Sequence, residues 1–223
     1  MIEPYFNEDG ITIYNADCLE IMKQFKDKSF DLVLTDPPYG IKRDSGFGGF
    51  GGFGEEKIQR RIYDDNWDNE RPNKDYFDNI LRVSKKAIIF GGNYFADLLP
   101  QGKHWLVWDK LNTMPSFGDC ELIWTNFDRN SVKKYVVQWN GLLGKEKNRY
   151  HPTQKPLALI LRLVREYTNI NDIILDPFIG SGTILVAAKE LNRRAAGIEL
   201  EKKYCDIAIK RIKNIPIKLF KEV

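Results

Sequence analysis

The chain has 223 residues and a formal net charge of +3, with 43% hydrophobic and 29% charged residues, a length and apolar content that suit one α/β domain with a real core. No apolar run approaches the roughly 20 residues of a membrane-spanning helix, and Met1-Ile2-Glu3-Pro4 lacks the basic and apolar stretches of a secretory signal, so the expected compartment is the cytoplasm. Three widely spaced cysteines (Cys18, Cys120, Cys205) and two histidines (His104, His151) give no disulfide framework and no zinc spacing, so neither disulfides nor a metal are expected.

Short apolar strands alternate with helical patterns along the chain. Ile11 to Tyr14 reads as a strand and Cys18 to Phe25 as a helix. Phe30 to Thr35 is a continuous apolar strand that runs into Asp36-Pro37-Pro38-Tyr39. Tyr76 to Val83 predicts a helix, Ala87 to Phe90 a strand closed by Gly91-Gly92, and Trp105 to Trp108 and Tyr135 to Trp139 two more strands. Leu157 to Tyr167 repeats apolar residues on a helical period. It is followed by a strand at Ile173 to Leu175, a helix at Thr183 to Leu191, a strand at Ala195 to Ile198 and a final helix at Tyr204 to Ile212. Such alternation predicts a mainly parallel sheet covered by helices on both faces.

Two features stand outside this pattern. Gly46 to Gly54 reads GFGGFGGFG, a composition that cannot pack as an element. The expectation is a mobile loop near residues 41–62, either without a task or a lid whose phenylalanines stack on bases with Arg60-Arg61 behind them. Charge is also uneven: residues 129–155 hold seven Lys/Arg (Arg129, Lys133, Lys134, Lys145, Lys147, Arg149, Lys155) against Glu146 alone. Residues 202–223 hold another seven Lys/Arg against Asp206 and Glu222. The first segment reads equally as a phosphate-facing surface or a solvated one; the second reads as a solvated helix face.

Four strings carry chemistry. Asp36-Pro37-Pro38-Tyr39 follows a buried strand, and ligand sites in open α/β sheets lie beyond that end. The prolines stiffen the turn and remove N–H donors, so the Asp36 carboxylate and a nearby carbonyl can accept both protons of an amino group while Tyr39 offers a flat face to a base. Asp176-Pro177-Phe178-Ile179-Gly180-Ser181-Gly182-Thr183 joins a strand to a helix, with glycines that let backbone approach a ligand and a helix N-terminus that favours an anionic group. Glu199 ends the next strand, where a carboxylate can take both hydroxyls of a ribose, so loop and acid together indicate an adenosine-containing ligand. In Asn15-Ala16-Asp17-Cys18 the Asp17 carboxylate can accept from the amino group of such an adenine, cap the following helix, or do both. His151-Pro152-Thr153-Gln154-Lys155-Pro156 is by itself a rigid loop and a helix start.

Together these strings resemble the DNA amino-methyltransferases that modify N6 of adenine or N4 of cytosine. The order, with Asp36–Tyr39 ahead of Phe178–Gly182, is similar to the β-type, circularly permuted arrangement, and the stretch from Trp108-Asp109-Lys110 through Phe117-Gly118-Asp119 to Trp139-Asn140-Gly141 resembles small prophage-type, adenine-specific members. The resemblance implies an S-adenosylmethionine cofactor and a Rossmann-like α/β/α fold with a seven-stranded, mostly parallel sheet containing one antiparallel strand. It implies that Asp36, Pro37, Pro38 and Tyr39 form the catalytic turn. It further implies a cofactor set of Asp17 (adenine), Glu199 (ribose), Phe178, Gly180 and Gly182, extended by the same strings to Cys18, Asp176, Ser181 and Thr183, with the Lys155 loop closing the pocket. A single methyltransferase domain over residues 1–223 follows, with a small target-recognition region near residues 110–150 and double-stranded DNA as partner, contacted by Lys145, Lys147, Arg149, Arg60 and Arg61; a homodimer stays open.

On this reading the target base is flipped from the duplex, because its amino group is unreachable inside the stack. It stacks on Tyr39 while Asp36 and the Pro37 carbonyl hold its NH2, and the methyl passes directly to nitrogen without metal or covalent enzyme intermediate. N4-cytosine methylation and adenine methylation of RNA use the same pocket. A nicotinamide-dependent oxidoreductase accounts for Gly180, Gly182 and Glu199 but not for Asp36–Tyr39. A catalytically silent DNA-binding module leaves that intact turn without a purpose.

Overall fold

The computed structural model describes residues 2–41, 71–111, 118–138 and 154–215. Its strands are β1 (Phe6–Glu8), β2 (Ile11–Asn15), β3 (Phe30–Thr35), β4 (Ser84–Phe90), β5 (His104–Asp109), β6 (Cys120–Thr125), β7 (Ser131–Val136), β8 (Ile173–Asp176) and β9 (Arg194–Glu199). The helices are α1 (Cys18–Met22), α2 (Lys74–Val83), α3 (Leu157–Tyr167), α4 (Thr183–Glu190) and α5 (Lys202–Lys213). The Gly46–Gly54 repeat, Arg60, Arg61, Lys145, Lys147 and Arg149 lie outside the described residues. Among the described residues no helix is long and apolar enough to cross a membrane.

All described strands join one sheet in the order β1-β2-β9-β8-β3-β4-β6-β5-β7. The seven from β2 to β5 in that order are the expected sheet, in which β6 alone runs against its neighbours β4 and β5. The count is nine because β1 pairs antiparallel with β2 at one edge and β7 pairs parallel with β5 at the other.

The sheet is buried on both sides, which is why β3 reads as a continuous apolar run rather than an alternation. Leu32 and Leu34 face a cluster built with α3, α4 and α5, whereas Val33 faces one built with α1 and α2. Helix α3 places Leu159, Ile160, Leu163, Val164 and Tyr167 on its buried stripe, and each such side chain contributes about 1.5–3 kcal/mol on burial. Asn73 caps α2 by accepting from the Asp75 amide at 3.0 Å.

Three differences from the sequence reading have local causes. The first helix stops at Met22 because the amides of Gln24 and Phe25 bond back three residues, to Ile21 and Met22, and tighten the turn. Strand β7 covers Ser131–Val136 rather than Tyr135–Trp139, because its register is set by β5, with His104 opposite Ser131 and Asp109 opposite Val136. As an edge strand it buries Tyr135 and leaves Val132 68% exposed, so it shows no apolar run to read. Strand β6 falls, with β7, inside the stretch expected to serve target recognition, and both are integral to the sheet.

Gly182 shows how tightly α4 packs on α5. It has φ +78°, and a Cβ there would stand 2.6 Å from the Ala208 Cβ. Gly182→Ala is therefore expected to lose about 2–4 kcal/mol in urea unfolding, from left-handed backbone strain and overpacking together. A loss below about 1 kcal/mol would show that the helices separate at little cost.

Candidate functional site

Strand order reverses between β8 and β3: the chain steps outward from β8 to β9 on one side and from β3 to β4 on the other. Such a switch point opens a crevice beyond the strands' carboxyl ends. The crevice here is a cavity of about 750 Å³, lined by Asp17, Asp36, Pro38, Phe178, Gly180 and Glu199 among others, within the usual range for a small-molecule site. The Asp36 turn and the glycine loop, far apart in sequence, thus open into one space.

The loop after β8 is built by its own polar groups. Asp176 is buried, and its Oδ1 accepts from the Thr35 hydroxyl at 2.8 Å and the Phe178 amide at 3.1 Å. Burial pushes its carboxyl up to about 7, against these two hydrogen bonds and helped by the charges of Asp36 and Glu199. Gly180, at φ +47°, directs its amide to Glu199 Oε2 at 2.9 Å, and Glu199 Oε1 accepts from the Glu201 amide at 2.9 Å. Burial raises the Glu199 carboxyl above its usual range, with those amides opposing. Ser181 and Thr183 are buried; Arg211 of α5 donates to the Ser181 carbonyl at 2.6 Å and to the Thr183 hydroxyl at 3.1 Å, and Ser181 Oγ donates to Gln154 at 3.2 Å.

Asp17 caps α1, accepting from the Leu19 amide at 2.8 Å and the Glu20 amide at 3.2 Å, while also lining the cavity. Cys18 lines it too, and burial, with Asp17 adding, holds its thiol far above the usual range. Gly182 is not among the residues lining the cavity, and its lack of a side chain makes room for the contact of α4 with α5.

The other end of the cavity holds a network of charges. Asp36 keeps 18% side-chain exposure, and its Oδ2 accepts from Lys155 Nζ at 2.7 Å. Lys155 also reaches Glu121 Oε1 at 3.1 Å, and Lys110 reaches Glu121 Oε2 at 3.1 Å. The Tyr39 hydroxyl stands 2.6 Å from Asp36 Oδ1 and 2.7 Å from Glu121 Oε1. The Tyr39 ring is stacked on Tyr94 at 4.6 Å, so that face is covered. Gly91, at φ +65°, makes room for it, since a Cβ there would lie 2.4 Å from the ring. Burial, with Glu121's charge, raises the Asp36 carboxyl despite Lys155. Glu121 is lowered to about 2: burial would raise it, but Lys155 and Lys110 together outweigh that.

Lys155, expected to close the cofactor pocket, lines the cavity with its ammonium on Asp36 and Glu121. In the same segment Lys133 pairs with Glu166 and Lys134 with Asp109 at 3.2 Å, which favours the solvated reading there. Sequence reasoning missed Glu121, Tyr94, Tyr76 and Arg211. Glu121 stands two residues beyond the Phe117-Gly118-Asp119 string, the one signal near it. All three cysteines are free, and no group of His, Cys, Asp and Glu among the described residues could hold a metal ion.

An S-adenosylmethionine fits what is present. Tyr76 and Phe178, with ring centroids 6.1 Å apart, offer flat walls. Glu199 is fixed by two amides yet keeps a second lone pair on each oxygen. The carboxylates of Asp17, Asp36, Asp176 and Glu199 along the cavity suit a cationic ligand.

Comparison with known proteins agrees. A family model described as DNA methylase matches residues 101–210. The chain is 28% identical over 256 residues to the Type II methyltransferase M2.DpnII of Streptococcus pneumoniae, covering 95% of this chain and 93% of that one. It is also 28% identical to the Type II methyltransferase M.HinfI of Haemophilus influenzae, over 96% of this chain and 72% of that one. The crystal structure of the M1.HpyAVI-SAM complex is similar with a TM-score of 0.59 at 26% identity, over 92% of this chain and 100% of that chain. The cytosine-N4-specific PvuII DNA methyltransferase shares the fold, with a TM-score of 0.67 at 16% identity, over 97% of this chain and 92% of that chain.

Asp176 gives a pH test of the loop. Its carboxyl is pushed up to about 7 in the fold, against about 3.9 for a free aspartate, so the native state binds more protons than the unfolded one between those values. Stability from this group is present at acid pH and lost as pH rises through that window. Asp176→Asn keeps both hydrogen bonds, so its stability relative to wild type should grow by a few kcal/mol from about pH 4 to pH 7 in urea titrations. A difference that stays flat with pH would mean Asp176 is ionised throughout.

Proposed function

We propose that the chain, matched over residues 101–210 by a DNA methylase family model and 28% identical to a Type II methyltransferase, transfers a methyl group from S-adenosylmethionine to the N6 amino group of adenine in double-stranded DNA, in the cytoplasm. The observation that carries this reading is that one cavity is lined both by the Asp36–Pro38 turn and by Phe178, Gly180 and Glu199. A proton acceptor for an amine and a cradle for an adenosine-containing cofactor meet there.

Each residue then has a task. Glu199 takes the ribose hydroxyls, Phe178 offers a ring to the adenine with Tyr76 packed against it, and Asp17 adds an acceptor beside the cap it makes. Bound S-adenosylmethionine supplies an electrophilic methyl group on a sulfonium. An aryl amine is a weak nucleophile because its lone pair is delocalised into the ring. Asp36 and the Pro37 carbonyl accept its two N–H bonds and favour a pyramidal nitrogen with the lone pair exposed. The base must be flipped to reach them, and its landing surface is the Tyr39–Tyr94 stack, whose outer ring is 38% exposed. Positioning and fixed acceptors carry the rate. Phosphate contacts belong to Arg60, Arg61, Lys145, Lys147 and Arg149 in this reading.

The two halves of the cavity should separate by mutation. Asp36→Ala is expected to lose roughly two to three orders of magnitude in methyl transfer while S-adenosylhomocysteine binding, by calorimetry, stays essentially unchanged. Glu199→Ala should weaken that binding by about 1–3 kcal/mol. Loss of ligand binding in the Asp36 variant, or none in the Glu199 variant, would reverse the assignment.

The substrate is decided by product. Incubation with labelled S-adenosylmethionine and duplex DNA, then digestion to nucleosides and mass spectrometry, should show N6-methyladenine. N4-methylcytosine alone would overturn the choice of base, and label on RNA but not DNA would overturn the choice of nucleic acid.

A further inference from the structure

The Tyr39 hydroxyl carries one proton yet lies within 2.7 Å of two carboxylates, Asp36 Oδ1 and Glu121 Oε1. One hydroxyl proton can satisfy only one of them, so the other contact, with the Lys155 ammonium 3.3 Å from the same hydroxyl, is completed when a further proton arrives. Glu121 is matched by two ammonium groups, Lys155 and Lys110, each at 3.1 Å, whereas among the described residues Asp36 is paired with Lys155 alone. Glu121 therefore stays ionised and takes the Tyr39 proton, which leaves Asp36 Oδ1 as the oxygen where a further proton would settle.

Resting on the proposed function, we propose that Glu121 is a positioning residue for the Asp36 site: by taking the Tyr39 proton and drawing off part of the Lys155 charge, it keeps the Asp36 carboxylate able to accept the proton that the methylated amine sheds. In that step the N–H bond of the product breaks, its electron pair stays on nitrogen, and an O–H bond forms on Asp36. Without Glu121 the Lys155 ammonium would be matched by Asp36 alone, stabilising its ionised form and weakening it as an acceptor. Glu121 reaches this place because β6 runs against its neighbours, so its N-terminal end lies at the carboxyl ends of the parallel strands, opposite Trp108.

The groups facing Asp36 are Lys155 from the segment before α3, Glu121 from β6 with Lys110 behind it, Tyr39 from its own turn and Asp176 from β8. The sign of each change is fixed by charge. Glu121→Gln removes a negative neighbour and should move Asp36 titration to lower pH; Lys110→Met leaves Glu121 to draw more fully on Lys155 and should move it to higher pH.

The test uses carbon-13 NMR of aspartate-labelled full-length protein without cofactor or DNA, with Asp36 assigned by its loss in Asp36→Asn. Opposite shifts in the two variants support the proposal, as does a lower acid limb of kcat in Glu121→Gln with duplex DNA. No shift in either variant, or shifts of the same sign, overturns it. If Glu121→Gln does not fold, the Lys110→Met shift decides alone. Because the titration needs no turnover, a wild-type protein that methylates nothing would defeat the functional reading without touching this result.

Discussion

Two carboxylates and two ammonium groups meet where Asp36 and Lys155 line the cavity and Glu121 and Lys110 stand behind them, and most of the architecture around them can be understood from the cost of keeping them there. Desolvating an ion costs several kcal/mol, and a buried pair that loses one member is strongly destabilised, by about 3–5 kcal/mol. Asp36, Glu121, Lys155 and Lys110 meet that cost only as a set, with Lys155 bridging both acids and Lys110 balancing the second. The set draws on the turn after β3, the end of β5, the start of β6 and the segment leading into α3. Each of those chain segments must therefore stop where it does.

The reversed strand β6 is the device that makes this possible. Parallel strands present only their carboxyl ends to the crevice, and residues at their amino ends lie at the far edge of the sheet. Running β6 the other way brings Glu121 to the ligand side, beside the Asp109–Lys110 end of β5. The same edge receives Asp176 and Glu199 from β8 and β9. The crevice so acquires an acidic end, steadied by backbone amides, and an end of mixed charge, which the proposed function gives to the cofactor and the amine respectively.

Glycines divide their work between these ends and the packing behind them. Gly180 turns an amide toward Glu199, Gly91 clears space for the Tyr39 ring, and Gly182 lets α4 approach α5. From the sequence, Gly180 and Gly182 look alike, two small residues of one ligand loop. Only the contact with Ala208 separates them. Lys155 is a similar case: its rigid proline-flanked loop was legible, but which anion its ammonium meets depends on residues 119 positions away.

By itself the sequence determined the alternation of strands and helices, the two-faced burial of the sheet, the Asp36 turn, the glycine loop and the strand-end acid Glu199. These are written in local periodicity and turn chemistry, which a chain carries wherever it folds. It did not disclose β1 or β6, the register of β7, the Tyr94 stack or the part played by Glu121. Those follow from pairing: β7 takes its ends from β5, Tyr94 meets Tyr39 through the turn after β4, and Glu121 meets the Tyr39 hydroxyl across 82 residues. A side chain's charge is visible in the sequence, but the partner that satisfies it is chosen by which strand edges bond and what burial then forbids to stay unpaired, and that choice is made only in the tertiary structure.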